Sequence, residues 1–280
     1  MSLFVLSRTA APITAIISAM LTVASATPSA AKDPEPYRVS ATYNITLNSF
    51  EIGTLRYESS VGFSGYVVES EVELSALFGA VSWKGAMRSS GTIDGAGPKP
   101  ANYTFNFEGS TGAGAVQMGF NEAGVSSLLI RPARSLAADT VPLKGKHLKG
   151  VLDPLSAALA LTRTGAKGPC RRKVAIFDGQ QRFDLELYYR RQQPLGRTQA
   201  IVCRVKYRPI AGYRANAETK AMQRNTGIEV AFRPVPGASL MVPDEITFPT
   251  ISGPIALKAQ KIDIKRSGRS KTALVKERGG

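Results

Sequence analysis

VLDPLSAALALTRTG, residues 151–165, is the stretch of this sequence that carries a complete set of helix instructions. Asp153 offers a side-chain acceptor at the N-cap, and Pro154 occupies the first helical position, where its missing N–H costs nothing. Gly165 can take the left-handed turn at the far end. Leu155, Ala158, Leu159 and Thr162 share one face at helical spacing, with Ala157 and Leu161 widening the apolar stripe. Nearly everything on either side reads as β-strand. A lone short apolar helix among strands has to bury its stripe on a sheet, so the expectation is a central helix over about 153–164 with the sheet wrapped around it.

Upstream, Arg131 to Gly150 lapses into prolines, lysines and glycines, a crossing that brings the chain to the helix. Before it, strands of period two follow one another. Tyr37, Val39, Ala41, Tyr43, Ile45 and Leu47 alternate with polar residues, and Tyr66, Val68, Val72 and Leu74 alternate with Glu69, Glu71 and Glu73, which gives that strand an acidic outer face. Val81, Trp83, Gly85 and Met87 repeat the pattern, as do Tyr103, Phe105 and Phe107, then Val116, Met118 and Phe120. Downstream a meander resumes with Val174 and Ile176, then Phe183, Leu185, Leu187 and Tyr189, then Ile201, Cys203, Val205 and Tyr207. Ile228, Val230 and Phe232 follow, then Leu240 and Val242. A last run from Ile255 to Ile264 shifts its apolar parity after Ala259, the mark of a bulge. Short strands with turn signals every roughly 8–12 residues predict a mainly β fold. The architecture expected is a large antiparallel open or spiral β-barrel with one short central helix. No residue period marks a propeller or solenoid.

The ends read differently. Arg8 precedes an apolar run from Ala10 to Ala24, and small residues follow at Ala24, Ala26, Ala30 and Ala31, the layout of a secretory signal peptide over 1–26. A membrane anchor needs roughly 20 apolar residues, and this run is shorter. Residues 27–36 are small, polar and proline-bearing, a linker. Residues 37–264 then form the expected single β-rich domain, and the basic residues from Lys265 to Arg278 among glycines and serines read as a disordered tail over 265–280. No later segment is apolar for long enough to span a bilayer, so the expectation is a soluble, exported, periplasmic protein. A formal net charge of +15 with a pI near 10.0 would suggest nucleic acid in a cytoplasmic protein. Export removes nucleic acid and leaves lipid headgroups, lipopolysaccharide or acidic polymers as anionic partners, beside a merely solvated surface.

Cys170 and Cys203 are the only cysteines. In an exported protein an even pair reads first as a disulfide, with two free thiols or a redox pair as alternatives. In a simple meander the first and third strands after the helix lie about two strand spacings, roughly 9.6 Å, apart, too far for a bond between central residues. Either Cys170 bends in from the loop after the helix, or the strand order is not a simple meander.

LDPLSAALALTR at 152–163, FDGQQRFDLEL at 177–187, CRVKYRPIAGYR at 203–214, GIEVAFRP at 227–234, VPDEITF at 242–248 and GPIALKAQKI at 253–262, in that order, resemble the bacterial periplasmic family known as domain of unknown function 3108. The resemblance runs from about Tyr37 to about Ile264, strongest after Asp153. It implies a β-rich exported protein and carries over no catalytic residue. A looser similarity is to periplasmic open barrels closed by a helix, which carry lipoproteins or support envelope integrity. Fold alone does not fix function.

The chemistry available is sparse. His147 is the only histidine and sits among Lys144, Lys146 and Lys149 with no acidic partner to orient it, a surface-loop residue. No G-x-S-x-G, S-x-x-K, H-E-x-x-H or P-loop is present, and one histidine cannot complete a metal site, so no cofactor or metal is expected. Paired acids are the remaining option: Asp244 and Glu245 follow Pro243, and Glu69, Glu71 and Glu73 line one strand face. Arg204, Lys206 and Arg208 share one side of a strand, with Arg171, Arg172 and Arg190 on adjacent segments, a basic patch able to hold phosphate or carboxylate or simply to face water. Trp83, Tyr103, Phe105 and Phe107, with Leu155 and Leu159 of the helix, either fill the core or line a groove between sheet and helix. The function expected is a non-catalytic envelope protein that binds an apolar or amphiphilic component, such as a lipid, or another envelope protein. A ligand-free structural scaffold and a carboxylate-dependent envelope hydrolase are the alternatives.

Overall fold

The structure, a computed structural model, describes residues 36–76, 81–133, 136–163, 168–250, 252–267 and 272–275. The segment read as a signal peptide, all but the last residue of the linker, and Gly165 fall outside the described residues. The period-two stretches upstream of the helix become β1 (Tyr37–Leu47), β2 (Phe50–Val61), β3 (Gly65–Ala76), β4 (Val81–Ile93), β5 (Pro98–Gly109), β6 (Gly112–Asn121) and β7 (Gly124–Arg131). The crossing then leads to α1 (Pro154–Thr162). After it come β8 (Arg172–Phe177), β9 (Arg182–Leu195), β10 (Thr198–Ala211), β11 (Glu229–Pro234), β12 (Met241–Thr250) and β13 (Gly253–Arg266). Each half is a meander of neighbouring antiparallel strands, and β1 pairs with β13, so the order is β7 through β1, then β13 through β8. The sheet stays open, with β7 and β8 at its two rims.

The central pairing runs from Tyr37 opposite Arg266 to Leu47 opposite Ile255. Thr42 faces Lys261 and Tyr43 faces Ala259, which leaves Gln260 as the extra residue of a bulge and accounts for the parity shift after Ala259. The expected loose tail is corrected in part. Lys265 and Arg266 finish β13, and Thr272–Val275 form a strand, β14, paired to it.

The concave face holds the core, and α1 is packed into it against β3, β4, β5, β8 and β12. Tyr37, Val39, Tyr43, Val68, Tyr103, Ile262 and Ile264 of the sheet form one buried cluster with Leu155 and Leu159. Burying Leu159 alone contributes about 1.5–3 kcal/mol. The helix is covered on more than the predicted stripe, since Ser156 and Ala160 are buried as well, while Ala158 and Leu161 of that stripe are only half-buried. A helix sheathed nearly all round must satisfy its polar ends within the protein.

The N-terminal end is satisfied by Asp153. Its Oδ1 accepts from the backbone N–H groups of Leu155 and Ser156, both at 3.0 Å. Its Oδ2 accepts from Ser89 Oγ of β4 at 2.9 Å and from Ser156 Oγ. Tyr66 Oη of β3 lies 2.6 Å from Ser156 Oγ, and burial pushes its phenol up to about 12, so it stays protonated. One buried carboxylate thus caps the helix and bolts it to two strands. The C-terminal end is satisfied by Arg172 of β8, whose Nη1 donates to Ala160 O at 2.6 Å and Arg163 O at 2.5 Å.

Cys170 lies in the turn ahead of β8 and is bonded to Cys203 of β10, with their Cα atoms 5.1 Å apart. The strand order is the simple meander, and the bond is reached because Cys170 bends in from the loop. Sequence spacing left both routes open.

Trp83, Phe105 and Phe107 stack on the inner face of β4 and β5, with ring centroids 6.2 Å apart for Trp83–Phe105 and 5.3 Å for Phe105–Phe107. They cover glycines. A Cβ on Gly85 would meet the Trp83 ring at 2.5 Å, and one on Gly114 would meet the Phe107 ring at 2.5 Å. Gly85→Ala therefore has to move the single tryptophan, at a cost of about 1–3 kcal/mol. The emission of Trp83 should shift in this variant and not in a control substitution at exposed Ala101; an unchanged spectrum with unchanged stability contradicts the packing.

Candidate functional site

On the inner face of β9 to β12, apolar side chains border a hollow beside the end of α1; Leu187 and Val205 are themselves buried, while Leu185, Val230, Ile246 and Phe248 are half-buried. Leu185 and Leu187 of β9, Val205 of β10, Val230 of β11, and Ile246 and Phe248 of β12 floor a groove of about 1000 Å3, with Leu161 of α1 closing one end. That volume lies at the top of the roughly 300–1,000 Å3 found for small-molecule sites. Tyr207 stands at the rim, where its hydroxyl donates to Gln181 Oε1 at 3.1 Å, and burial pushes its phenol up to about 12.

A second helix, α2 (Ala217–Arg224), crosses the groove. Its formation is local. The Asn216 side chain accepts from Thr219 N at 3.0 Å as N-cap, Glu218 sits in the first turn and Arg224 in the last, each matched to the helix dipole. None of its residues is buried, so it roofs the groove while contributing little to the core. Its flanks are pinned. Ala215 N donates to Asp139 O at 2.9 Å and Arg214 pairs with the Asp139 carboxylate at 3.0 Å, while Asn225 Nδ2 donates to Pro249 O at 3.1 Å. A helix held at both ends and loosely seated between them has the form of a cover.

The residues expected to line a groove are placed elsewhere. Tyr103, Leu155 and Leu159 are buried in the main core, and Trp83, Phe105 and Phe107 are stacked on one another over glycines in the other half of the sheet. The aromatic side chains drew the reading there, yet their area is spent on covering backbone. The signal for the actual groove was NAETKAMQR at 216–224, an N-cap followed by charges of the right sign, too short and polar to show an apolar stripe.

The basic patch is dispersed in role. Arg172 is half-buried and caps α1; Arg208 Nε pairs with Glu186 at 2.8 Å; Arg190 shares Glu229 with Arg191, at 3.5 and 2.6 Å. Arg171 is exposed in the turn next to Cys170. Arg204 and Lys206 remain, and they line a second hollow of about 590 Å3 with Arg190 and Arg224. Of the acids considered for catalysis, Glu69, Glu71, Glu73 and Asp244 are engaged in pairs. Glu69 pairs with Arg88, Glu71 with Arg56 at 3.8 Å and Glu73 with Lys84 at 3.6 Å, all across the solvent face of the sheet. Asp244 is held by Arg233 at 2.5 Å. His147 Nδ1 accepts from Lys144 N at 3.1 Å and so closes the 3-10 turn Gly145–Leu148. Among the described residues, no group of three or more histidine, cysteine or acidic side chains could hold a metal ion, and no helix is long and apolar enough to cross a membrane.

Comparison with known proteins finds similarity to a protein family and to solved structures. The family model described as "Protein of unknown function (DUF3108)" matches residues 42–226. Among solved structures the chain is similar to a beta-barrel-like protein of domain of unknown function DUF1849 from Brucella abortus. The TM-score is 0.50 at 13% identity, over 82% of this chain and 98% of that one. At such identity the likeness is one of fold. No curated protein matches.

Proposed function

Because the chain belongs to the DUF3108 family, which brings no reaction with it, we propose on the geometry of the groove that this is a non-catalytic cell-envelope protein, exported to the periplasm, that holds an apolar or amphiphilic molecule between β9–β12 and α2. The observation that carries the reading is a hollow whose apolar floor is only half-buried at Leu185, Val230, Ile246 and Phe248 and whose roof, α2, has no fully buried residue. A core element packs its roof tightly; a binding site leaves it free to lift. The disulfide fits an oxidising compartment.

Two measurements test it. The full chain, produced with its own N-terminus and recovered from the soluble periplasm, should carry a co-purifying lipid visible by native mass spectrometry and solvent extraction. Material that is consistently ligand-free, and that also fails to bind the uncharged probe phenylnaphthylamine, overturns the proposal. Met222 faces the groove from α2 and is half-buried. Met222→Glu should therefore weaken the probe by about fivefold, the equivalent of about 1 kcal/mol of lost apolar contact, with the melting temperature unchanged.

A further inference from the structure

The hollow lined by Arg190, Arg204, Lys206 and Arg224 abuts the apolar groove at the C-terminal end of α2, where Val205, Arg224 and Asn225 belong to the walls of both. Among the described residues no carboxylate lines this hollow. The nearest acids are already engaged: Glu229, opposite Arg204 on β11, is shared by Arg190 and Arg191, and Glu186, opposite Lys206 on β9, is held by Arg208 and approached by Lys173. Arg204 Nε is buried without a hydrogen-bond partner. An unanswered buried donor of a charged group costs more than an exposed one, so this position favours an anion that reaches it. Tyr189, largely exposed, flanks the same hollow and adds a hydroxyl donor, while the Tyr188 hydroxyl donates to Glu186 Oε2 at 2.6 Å.

Resting on the groove reading of the previous section, we infer that the ligand is an anionic single-chain amphiphile, its chain on the floor of β9–β12 and its carboxylate or phosphate headgroup in the Arg204, Lys206, Arg224 hollow. A guanidinium offers a planar fork that suits either oxyanion, and Lys206 adds a mobile point charge. The joint between the two hollows falls at Arg224, so α2 carries both a contact to the chain, Met222, and a contact to the headgroup. Seating of the ligand thereby pulls the cover down on it.

The test compares amphiphiles of equal chain length as competitors of phenylnaphthylamine on the full chain: dodecyl phosphate, laurate and uncharged dodecanol. The two anions should compete at about tenfold lower concentration than dodecanol, the value of one charge-assisted hydrogen bond. In Lys206→Gln, an exposed position that lines the hollow and not the groove, that advantage should shrink to under about fourfold while dodecanol is unaffected, and raised salt should act the same way. Equal competition by all three on the wild type overturns this inference and leaves the groove reading intact. Absence of any probe binding sinks the groove reading itself. Inorganic phosphate binding as tightly as dodecyl phosphate, by calorimetry, also overturns the inference, since the chain then plays no part. The ratio of laurate to dodecyl phosphate tells a carboxylate from a phosphate ligand.

Discussion

Asp153→Ala should lower the free energy of unfolding by about 3 kcal/mol, more than an ordinary N-cap substitution. An exposed cap is worth about 1 kcal/mol. Here the carboxylate is fully buried, and its removal orphans the N–H groups of Leu155 and Ser156 in a site water does not reach, leaving the Ser89 hydroxyl only Ser156 Oγ at 2.9 Å. Asp153→Asn keeps an acceptor for the two N–H groups and should cost under about 1 kcal/mol. Urea denaturation of both variants decides the matter; equal and small losses mean that the cap is not what bolts the helix to β3 and β4. The same pair reads out pH. Burial raises the Asp153 carboxyl above its ordinary value, against the hydrogen bonds from Ser156, Ser89 and Leu155 that lower it. A carboxyl raised in the folded state binds its proton more tightly there than in the unfolded chain. Its contribution is therefore complete below the ordinary carboxylate range and is lost as pH rises through the raised value. The stability of the wild type relative to Asp153→Asn should accordingly fall between acid and neutral pH. Subtraction of the variant removes exposed carboxylates such as Asp94 and Asp139, which are shifted downward and act in the opposite sense.

Cys170→Ser/Cys203→Ser should cost about 3–4 kcal/mol, from closure of a loop of sequence separation 33 on a chain-entropy argument. The bond ties the turn ahead of β8, a rim strand, across β9 to β10, and the two sulfurs pack with Leu187, Val205, Phe232 and Met241. Loosening that rim frees the floor of the groove at Leu187 and Val205. The double variant should therefore lose phenylnaphthylamine binding at temperatures where its far-UV spectrum is still native. Retention of full binding up to the unfolding transition would show that the groove is held by the sheet alone.

The architecture was legible because its signals are local. Asp153 followed by Pro154 marks a helix start without reference to the rest of the chain, and the alternation from Tyr37 to Leu47 gives β1 with its buried face. Even the bulge at Gln260 shows as a break in parity. The groove was not legible, because it is made by residues of β9, β10, β11 and β12 whose alternation is the same whether their inner face meets a helix or a void. Only the length of α1 decides which. The helix stops at Thr162, and Leu161 borders the hollow, whose floor at Leu185, Val230, Ile246 and Phe248 is only half-buried. Pairing of Cys170 with Cys203 was legible as chemistry, and its route was not, since a turn that bends over two strands leaves no trace in spacing.

The pairing of β1 with β13 has a consequence for how the molecule comes into being. Each meander joins neighbours in the chain and can zip as it emerges, but the strand that unites the two halves is nearly the last to be delivered. More than 200 residues separate Tyr43 from Ala259, its partner. Contacts of such span form slowly, after the local hairpins. Until the closing strand arrives the two half-sheets are separate leaves with an uncapped edge each, at Tyr37–Leu47 and at Met241–Thr250, and a chain threaded outward from its N-terminus would pass through that state every time it is made.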